Sequence, residues 1–241
     1  MNILLLAFAL FATIPAFANN FKIIHFKGKI SVERDAKRLN PQKNFILHEN
    51  DKIITAKKSI AIVKNDLMTI KVIENSSLRI SDLRKEINVD IKQGGAVINF
   101  VKNEVNKRLK KDLKVITSHS AVGVRGTTFF IYNFKDETSF LTVKDGEVDF
   151  SGTKNKGLRR VGNGKSSFIN NDLESEPPHK VGFEENINWE IQNFNSDLSQ
   201  PKALFSKMEK QWSDYKKEME NKWNDNNKQM NDQWKKVQNE L

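Results

Sequence analysis

Short runs of alternating apolar and polar residues fill the chain between residues 21 and 169. Ile30-Ser31-Val32 and Ile70-Lys71-Val72 are typical examples. Alternation with a period of two places one set of side chains on the buried face of a strand. Turn-forming residues separate the runs, and Asp145-Gly146 predicts a tight hairpin because these residue types tolerate positive φ. The pattern therefore predicts an all-β domain rather than βαβ units.

One segment of this region departs from the alternation. Between Ala96 and Leu113 the apolar residues recur near helical spacing, at Val97, Phe100, Val101, Val105 and Leu109. This spacing predicts a strand that runs into a short helix.

The end of the chain contains an internal repeat of a different period. Methionine and tryptophan each recur 11 residues apart, at Met208, Met219 and Met230 and at Trp212, Trp223 and Trp234. Eleven residues over three turns is close to the natural α-helical period, so these side chains form a stripe on one face. Pro201 suits a helix start. We predict one long amphipathic helix over residues 201–241, roughly 60 Å in length.

The stripe needs a surface that covers it, because each free indole would expose roughly 150–250 Å² to water. Three surfaces remain open from the sequence: a second helix in a coiled coil, the β domain or another protein, and a membrane. The mixed charge of the polar face, with a net charge of +2, disfavours the membrane. Asn226 on the stripe resembles the polar residues that set register in coiled coils.

The first 18 residues have the pattern of a secretory signal peptide. An apolar run begins at Ile3 and ends with the small-residue motif Ala16-Phe17-Ala18, which predicts cleavage after Ala18 and a periplasmic protein. No cysteine is present, which rules out disulfides and thiolate metal ligands. No later apolar run in the sequence has the length of a transmembrane helix.

Charge divides the remainder into three parts. Residues 19–170 hold 30 Lys and Arg against 16 Asp and Glu, a net charge of +14. Residues 171–200 have a net charge of −6 and contain Pro177-Pro178, whereas residues 201–241 have a net charge of +2. We therefore predict a signal peptide (1–18), a β domain (19–170), an acidic linker (171–200) and the long helix (201–241).

The segment between Ala96 and Leu113 also carries a basic cluster. Lys107, Arg108, Lys110 and Lys111 are candidates for binding an anionic envelope polymer or lipid head group. The alternative interpretation is a solvated surface that keeps the protein soluble. The charge is not accompanied by any nucleic-acid-binding motif, which disfavours nucleic acid as a partner.

The most specific motif lies in residues 117–130, which read TSHSAVGVRGTTFF. Gly123, Arg125, Gly126 and Thr127 form its centre. Glycines within such a β-branched run indicate a bulge or a close backbone approach. Arg125 admits two interpretations: a core arginine that caps carbonyls or pairs with a carboxylate, or a residue that contacts a ligand or partner.

This motif resembles the signature of the FecR-type periplasmic domain family, with Ser118 in place of the usual proline. Further matches, which extend the resemblance over about residues 21–169, are Gly28–Arg34, Asn50–Thr55, Ser59–Val63, Glu74–Ile80, Gln93–Gly95, Val143–Val148 and Val161–Lys165. The resemblance implies a sandwich- or roll-like domain of short antiparallel strands and a role in envelope signalling through protein partners. It implies no catalytic residues and no cofactor.

The sequence contains no motif for catalysis. The four histidines, His25, His48, His119 and His179, form no His-Glu-x-x-His pattern, and neither a Gly-x-Ser-x-Gly elbow nor a phosphate-binding loop occurs. We predict no metal site. The leading hypothesis is an exported, non-catalytic binding or scaffolding protein with a helical association arm. The alternative is a cell-envelope enzyme that acts on glycan, which would gather two or more carboxylates or histidines in one pocket.

Overall fold

The computed structural model describes residues 20–82, 85–101, 111–134, 138–153, 156–170, 172–180, 187–191 and 201–239. The predicted signal peptide lies outside them. The strands are β1 (Lys22–Lys27), β2 (Ile30–Arg34), β3 (Lys37–Leu39), β4 (Phe45–Ile46), β5 (Lys52–Thr55), β6 (Ile60–Lys64), β7 (Met68–Val72), β8 (Ser77–Asp82), β9 (Glu86–Phe100), β10 (Asp112–Thr117), β11 (Ser120–Val124), β12 (Thr128–Asn133), β13 (Ser139–Asp145), β14 (Glu147–Gly152), β15 (Arg159–Gly162) and β16 (Ser166–Phe168). Helix α1 spans Pro201–Asn239. A mainly β fold followed by a long C-terminal helix is therefore confirmed.

The strands form two sheets. Sheet A has the order β4-β1-β6-β7-β9-β12-β13-β16. Sheet B has the order β3-β2-β5-β8-β9-β10-β11-β14-β15. One apolar core lies between them, with residues from both sheets such as Ile70 and Phe129 of sheet A and Val89 and Phe150 of sheet B. The sandwich thus follows from alternation along each strand, which supplies one apolar face per sheet.

Strand β9 belongs to both sheets. Its first half pairs with β8 and β10 in sheet B, and its second half, from Gly94, pairs with β7 and β12 in sheet A. Gly94 and Gly95, which belong to a segment that resembles the FecR family, therefore lie at a bend inside one continuous strand. β9 and β10 pair in parallel, whereas the family resemblance implies antiparallel strands.

The strand that was predicted in the segment 96–113 is present, because β9 continues to Phe100. Asp112 and Leu113 begin β10 instead of ending a helix. The remainder of the predicted short helix, residues 102–110, lies outside the described residues.

The turn at Asp145-Gly146 is tight but does not make a hairpin, so this prediction was wrong. Gly146 has a φ of 89°, as the turn requires. However, β13 pairs with β12 and β16 in sheet A, whereas β14 pairs with β11 and β15 in sheet B. The turn carries the chain from one sheet to the other.

The turn at Asn50-Asp51 is held by an ion pair. Asn50 has a φ of 65°, a conformation that Asn adopts more readily than most residues. The Asp51 carboxylate accepts hydrogen bonds of 2.8 and 2.6 Å from the Arg34 guanidinium and one of 2.9 Å from the His48 amide. Burial raises the pKa of Asp51, but these hydrogen bonds outweigh it and hold the pKa below its usual value.

The acidic segment after residue 170 contacts the β domain in its described parts. Ser166 and His179 exchange two main-chain hydrogen bonds at 2.8 and 2.9 Å, which extends sheet A beyond β16. Residues 187–191, here called the strap, pack on the outer face of sheet A, where Ile187 is buried. The bounds of the predicted linker stay a prediction, but its described residues are docked on the domain.

Candidate functional site

The signature residues form the corner at which the chain passes from sheet B to sheet A. β11 ends at Val124 and β12 begins at Thr128. Gly126 has a φ of 65°, which side chains with a Cβ rarely adopt. The motif therefore places a glycine where the change of sheet needs a left-handed residue.

This corner stacks on the second corner at Gly146. The Gly126 carbonyl oxygen lies 2.9 Å from the position that a Cβ on Gly146 would take. The buried Thr127 hydroxyl donates a hydrogen bond of 2.8 Å to the Glu147 carbonyl. Thr127 thus joins the two corners, and the signature holds the β11–β12 and β13–β14 crossings together.

A buried hydroxyl network holds the start of the signature. The Thr117 hydroxyl lies 2.8 Å from the hydroxyls of both Ser120 and Ser139. Ser139 donates to Asn133 Oδ1 at 3.1 Å, and Asn133 Nδ2 donates to the Lys92 carbonyl at 2.8 Å. Because each buried polar group has a partner, this network stabilises the turn between β10 and β11.

Gly123 differs from the other glycine of the signature. It lies within β11, and a Cβ there would meet only the Cβ of Asp149, at 3.8 Å. Neither the backbone nor the packing of the described residues therefore requires glycine. Its place in the sheet leaves a gap in the row of side chains formed by Lys114, Asp149 and Arg160.

This gap opens onto a groove on the outer face of sheet B, with a volume of about 580 Å³. Small residues form part of its floor, and charged side chains and the exposed Leu158 form its walls. The groove is lined by Glu86, Asp112, Leu113, Lys114, Ala121, Val122, Gly123, Val124, Arg125, Glu147, Val148, Asp149, Ser151, Leu158 and Arg160. The sequence prediction missed Glu147, Asp149 and Arg160, although the alternation around the buried Val148 already marks two of them as facing outward.

Arg125 lies on the wall of this groove. It is exposed, and within the described residues no hydrogen bond or ion pair holds its guanidinium. The interpretation as a core arginine that pairs with a carboxylate therefore does not describe its position. Its placement agrees with the alternative, a contact to a ligand or partner.

The groove gathers four carboxylates, those of Glu86, Asp112, Glu147 and Asp149, and such a cluster is the predicted mark of the alternative function, a glycan-active enzyme. Glu147 and Asp149 are both paired with Arg160, at 3.2 and 3.4 Å, and their side chains are 54% and 51% exposed. A general acid at neutral pH needs a buried, unpaired environment that raises its pKa. The two paired carboxylates instead have the surroundings of surface ion pairs.

Of the predicted anion site, only Lys111 lies within the described residues. Lys107, Arg108 and Lys110 lie outside the described residues. The Lys111 ammonium forms an ion pair with Asp82, so its charge is already compensated within the domain.

The Met/Trp stripe lies on a single helix, as predicted. Met219, Trp223 and Met230 are 45%, 67% and 51% exposed, so none of them is covered by the rest of the described chain. The side chains of Met208, Trp212 and Trp234 lie outside the described residues.

The described part of the chain holds no group of three or more His, Asp and Glu residues that could bind a metal ion. Its helix is too polar to cross a membrane.

Comparison with known proteins gives one family. No curated protein matches the sequence. Two crystal structures of a "putative anti-sigma factor" from Parabacteroides distasonis, at 1.65 and 2.50 Å, are similar with 17% identity and a TM-score of 0.44. The similarity covers 52% of this chain and 58% of those chains, so it spans little more than half of their length. The family model described as "FecR protein" matches residues 51–149, which include most of the predicted FecR region and its signature, so the predicted resemblance of this region to the FecR family is confirmed.

Proposed function

We propose that this protein is an exported, non-catalytic binding or scaffolding protein that takes part in envelope sensing through its FecR domain and associates through helix α1. The observation that carries the proposal is the exposure of Met219, Trp223 and Met230 on one stripe of a continuous helix. Three large apolar side chains at intervals of four and seven residues make a contiguous surface. Such a surface on a soluble protein is typical of an interaction site.

Charge supports the helix over the β domain as the site of association. Residues 19–170 carry a net charge of +14, which makes copies of the domain repel each other at low salt. The helix has nearly balanced charge, with a Glu218–Lys222 pair at 2.6 Å on its surface. A second copy of the helix is therefore the partner that we favour for the stripe.

The oligomeric state tests this proposal. We expect the mature chain to form a dimer or larger oligomer by light scattering at high micromolar concentration. A chain that ends at Ile191 keeps the strap and should be monomeric. If both chains have the same mass per particle, the helix does not carry association. If the mature chain is monomeric, a different protein or a membrane covers the stripe instead of a second copy.

The proposed localisation rests on the N-terminal sequence. We expect mature protein to begin at Asn19 and to fractionate with the soluble periplasm, because cleavage follows the small residues at 16 and 18. N-terminal sequencing of fractionated cells measures this directly. Protein that begins at Met1 in the envelope fraction would contradict export and cleavage.

The non-catalytic part of the proposal rests on the groove. Its carboxylates Glu147 and Asp149 are exposed and paired with Arg160, and Arg125 stands beside them with its guanidinium in solvent. Mixed, exposed charge of this kind suits a protein partner whose polar rim pairs with it. Release of soluble sugar from purified cell-wall glycan by the mature protein would favour the glycan-active enzyme instead.

A further inference from the structure

The outer face of sheet A carries a second, smaller apolar cluster. Ile187 of the strap is 4% exposed and packs against Ile73, Val97, Phe130 and Phe140 of the sheet. Trp189 and Ile191 of the strap pack against the same cluster. The strap thus covers this face as an extended segment, with side chains 187, 189 and 191 turned toward the sheet.

A lysine lies under the strap. Lys71 stands at the centre of sheet A, where β7 pairs it with Ile62 of β6 and Val97 of β9. It is fully buried. Its ammonium donates to the main-chain carbonyls of Glu190 and Asn188, at 3.1 and 3.5 Å. The strap therefore supplies hydrogen-bond acceptors for this buried charge.

These contacts have opposite effects on docking. Burial of the apolar side chains favours the docked strap. Burial of the Lys71 ammonium disfavours it, since the ammonium loses its hydration in the docked state. Burial lowers the pKa of Lys71 to about 8, against a smaller opposing effect of the Glu190 carboxylate. The docked state therefore includes an unfavourable free energy for burying the charged ammonium, which is absent when Lys71 is hydrated or neutral.

The strap also lies directly before the helix in the chain. Nine residues separate Ile191 from Pro201, where α1 begins. The strap also makes a cation–π contact with the β domain, in which the Lys144 ammonium lies 5.8 Å from the centre of the Trp189 ring. Any force on the helix reaches the β domain through this segment.

We propose that residues 187–191 are a releasable latch, docked on sheet A over Lys71 in a closed form and detached in an open form that hydrates Lys71 and exposes the apolar cluster. The latch couples the position of the helix to the exposure of a surface on the FecR domain. Its occupant is the chain's own strap.

The latch should respond to pH in a defined direction. In the open form a hydrated lysine has a pKa near 10.4, whereas in the closed form the pKa is about 8. Between these values the open form binds more protons, so a rise in pH favours the closed form. Within the described residues, the other titratable groups on this face and its surrounding segments include Lys22, His25, Lys27, Lys64, Glu74, Tyr132, Lys144, Lys165, His179 and Glu190.

Burial raises the pKa of Tyr132 above its ordinary value, because it disfavours the charged phenolate. The Lys144 ammonium lies against the Trp189 ring, and a Lys144→Met control separates its effect on the fluorescence from that of Lys71.

Quenching of Trp189 fluorescence by acrylamide tests the latch in the mature chain with Trp212, Trp223 and Trp234 replaced by Phe. We expect Trp189 to be shielded, and its accessible fraction to fall at least about threefold from pH 8 to pH 10. Lys71→Met removes the buried charge at similar volume, so it should make Trp189 shielded at both pH values and abolish the pH dependence. Lys144→Met is the matched control and should keep the pH dependence.

Ile187→Ser tests the apolar anchor. It should make Trp189 accessible at every pH while circular dichroism shows that the β domain still unfolds cooperatively. The proposal is overturned if Lys71→Met retains the pH dependence of the parent. It is equally overturned if Trp189 is as accessible as free tryptophan in the parent, or if it stays shielded in Ile187→Ser.

Discussion

Gly126→Val is expected to lower the free energy of unfolding by roughly 1–3 kcal/mol, the usual cost of a side chain forced into a sparsely populated backbone region. Gly126 has a φ of 65°, and valine is among the residues least suited to it because of its branched Cβ. The change also falls where two corners stack through Thr127 and Gly146. Chemical denaturation monitored by circular dichroism measures the loss.

The signature offers its own control. Gly123 lies three residues earlier in a strand and has room for a Cβ. Gly123→Ala should therefore leave stability unchanged or raise it by up to about 1 kcal/mol, since alanine restricts the unfolded chain more than glycine does. Equal stability of Gly126→Val and the parent would show that the corner tolerates a side chain. A large loss in Gly123→Ala would show that β11 needs glycine for folding.

Trp223→Ala is expected to raise the dissociation constant of the oligomer roughly thirtyfold. The residue is the most exposed of the three described stripe side chains, at 67%, and truncation of a central interface tryptophan commonly costs about 2 kcal/mol. Sedimentation equilibrium of the mature chain measures the constant. A parallel thermal unfolding experiment on the β domain should show no change.

Asn224→Ala serves as the control for this substitution. Asn224 is the next residue, is exposed, and lies about 100° away around the helix, off the stripe. The Asn224→Ala variant should therefore have a dissociation constant within about twofold of the parent's. Equal effects of the two changes would mean that the stripe is not the interface. In that case the loss would come from helix stability.

The strands were predictable because period-two alternation is a local signal. Ile70 and Val72 face the core as predicted. Pairing between strands is not local, and so Asp145-Gly146 was assigned to a hairpin although its two strands belong to different sheets. A turn sequence specifies the reversal of the chain, whereas the sheet that each strand joins depends on residues far away, such as Thr127, which holds the Glu147 carbonyl.

The candidate site was predictable only in part. The motif around Gly123, Arg125 and Gly126 identified the segment, but the groove also needs Asp149 and Arg160, which β14 and β15 bring next to β11. Lys71 is only weakly marked in the sequence as a residue of interest, as a charged residue between the apolar Ile70 and Val72. Its burial could not be inferred, because a lysine in an alternating strand ordinarily faces water and the strap that covers it comes more than one hundred residues later.

The sequence alone determined the elements whose cause is local: the alternating strands, the glycine that the β11–β12 corner requires, the helix with its 11-residue stripe, and the FecR signature. Tertiary structure decided which strands share a sheet, that β9 bends from one sheet into the other, that Arg125 faces solvent, and that an acidic segment covers a buried lysine. The physical reason is the range of the interactions. Backbone conformation and side-chain periodicity act over a few residues, whereas burial and charge pairing are set by whichever distant segment packs alongside.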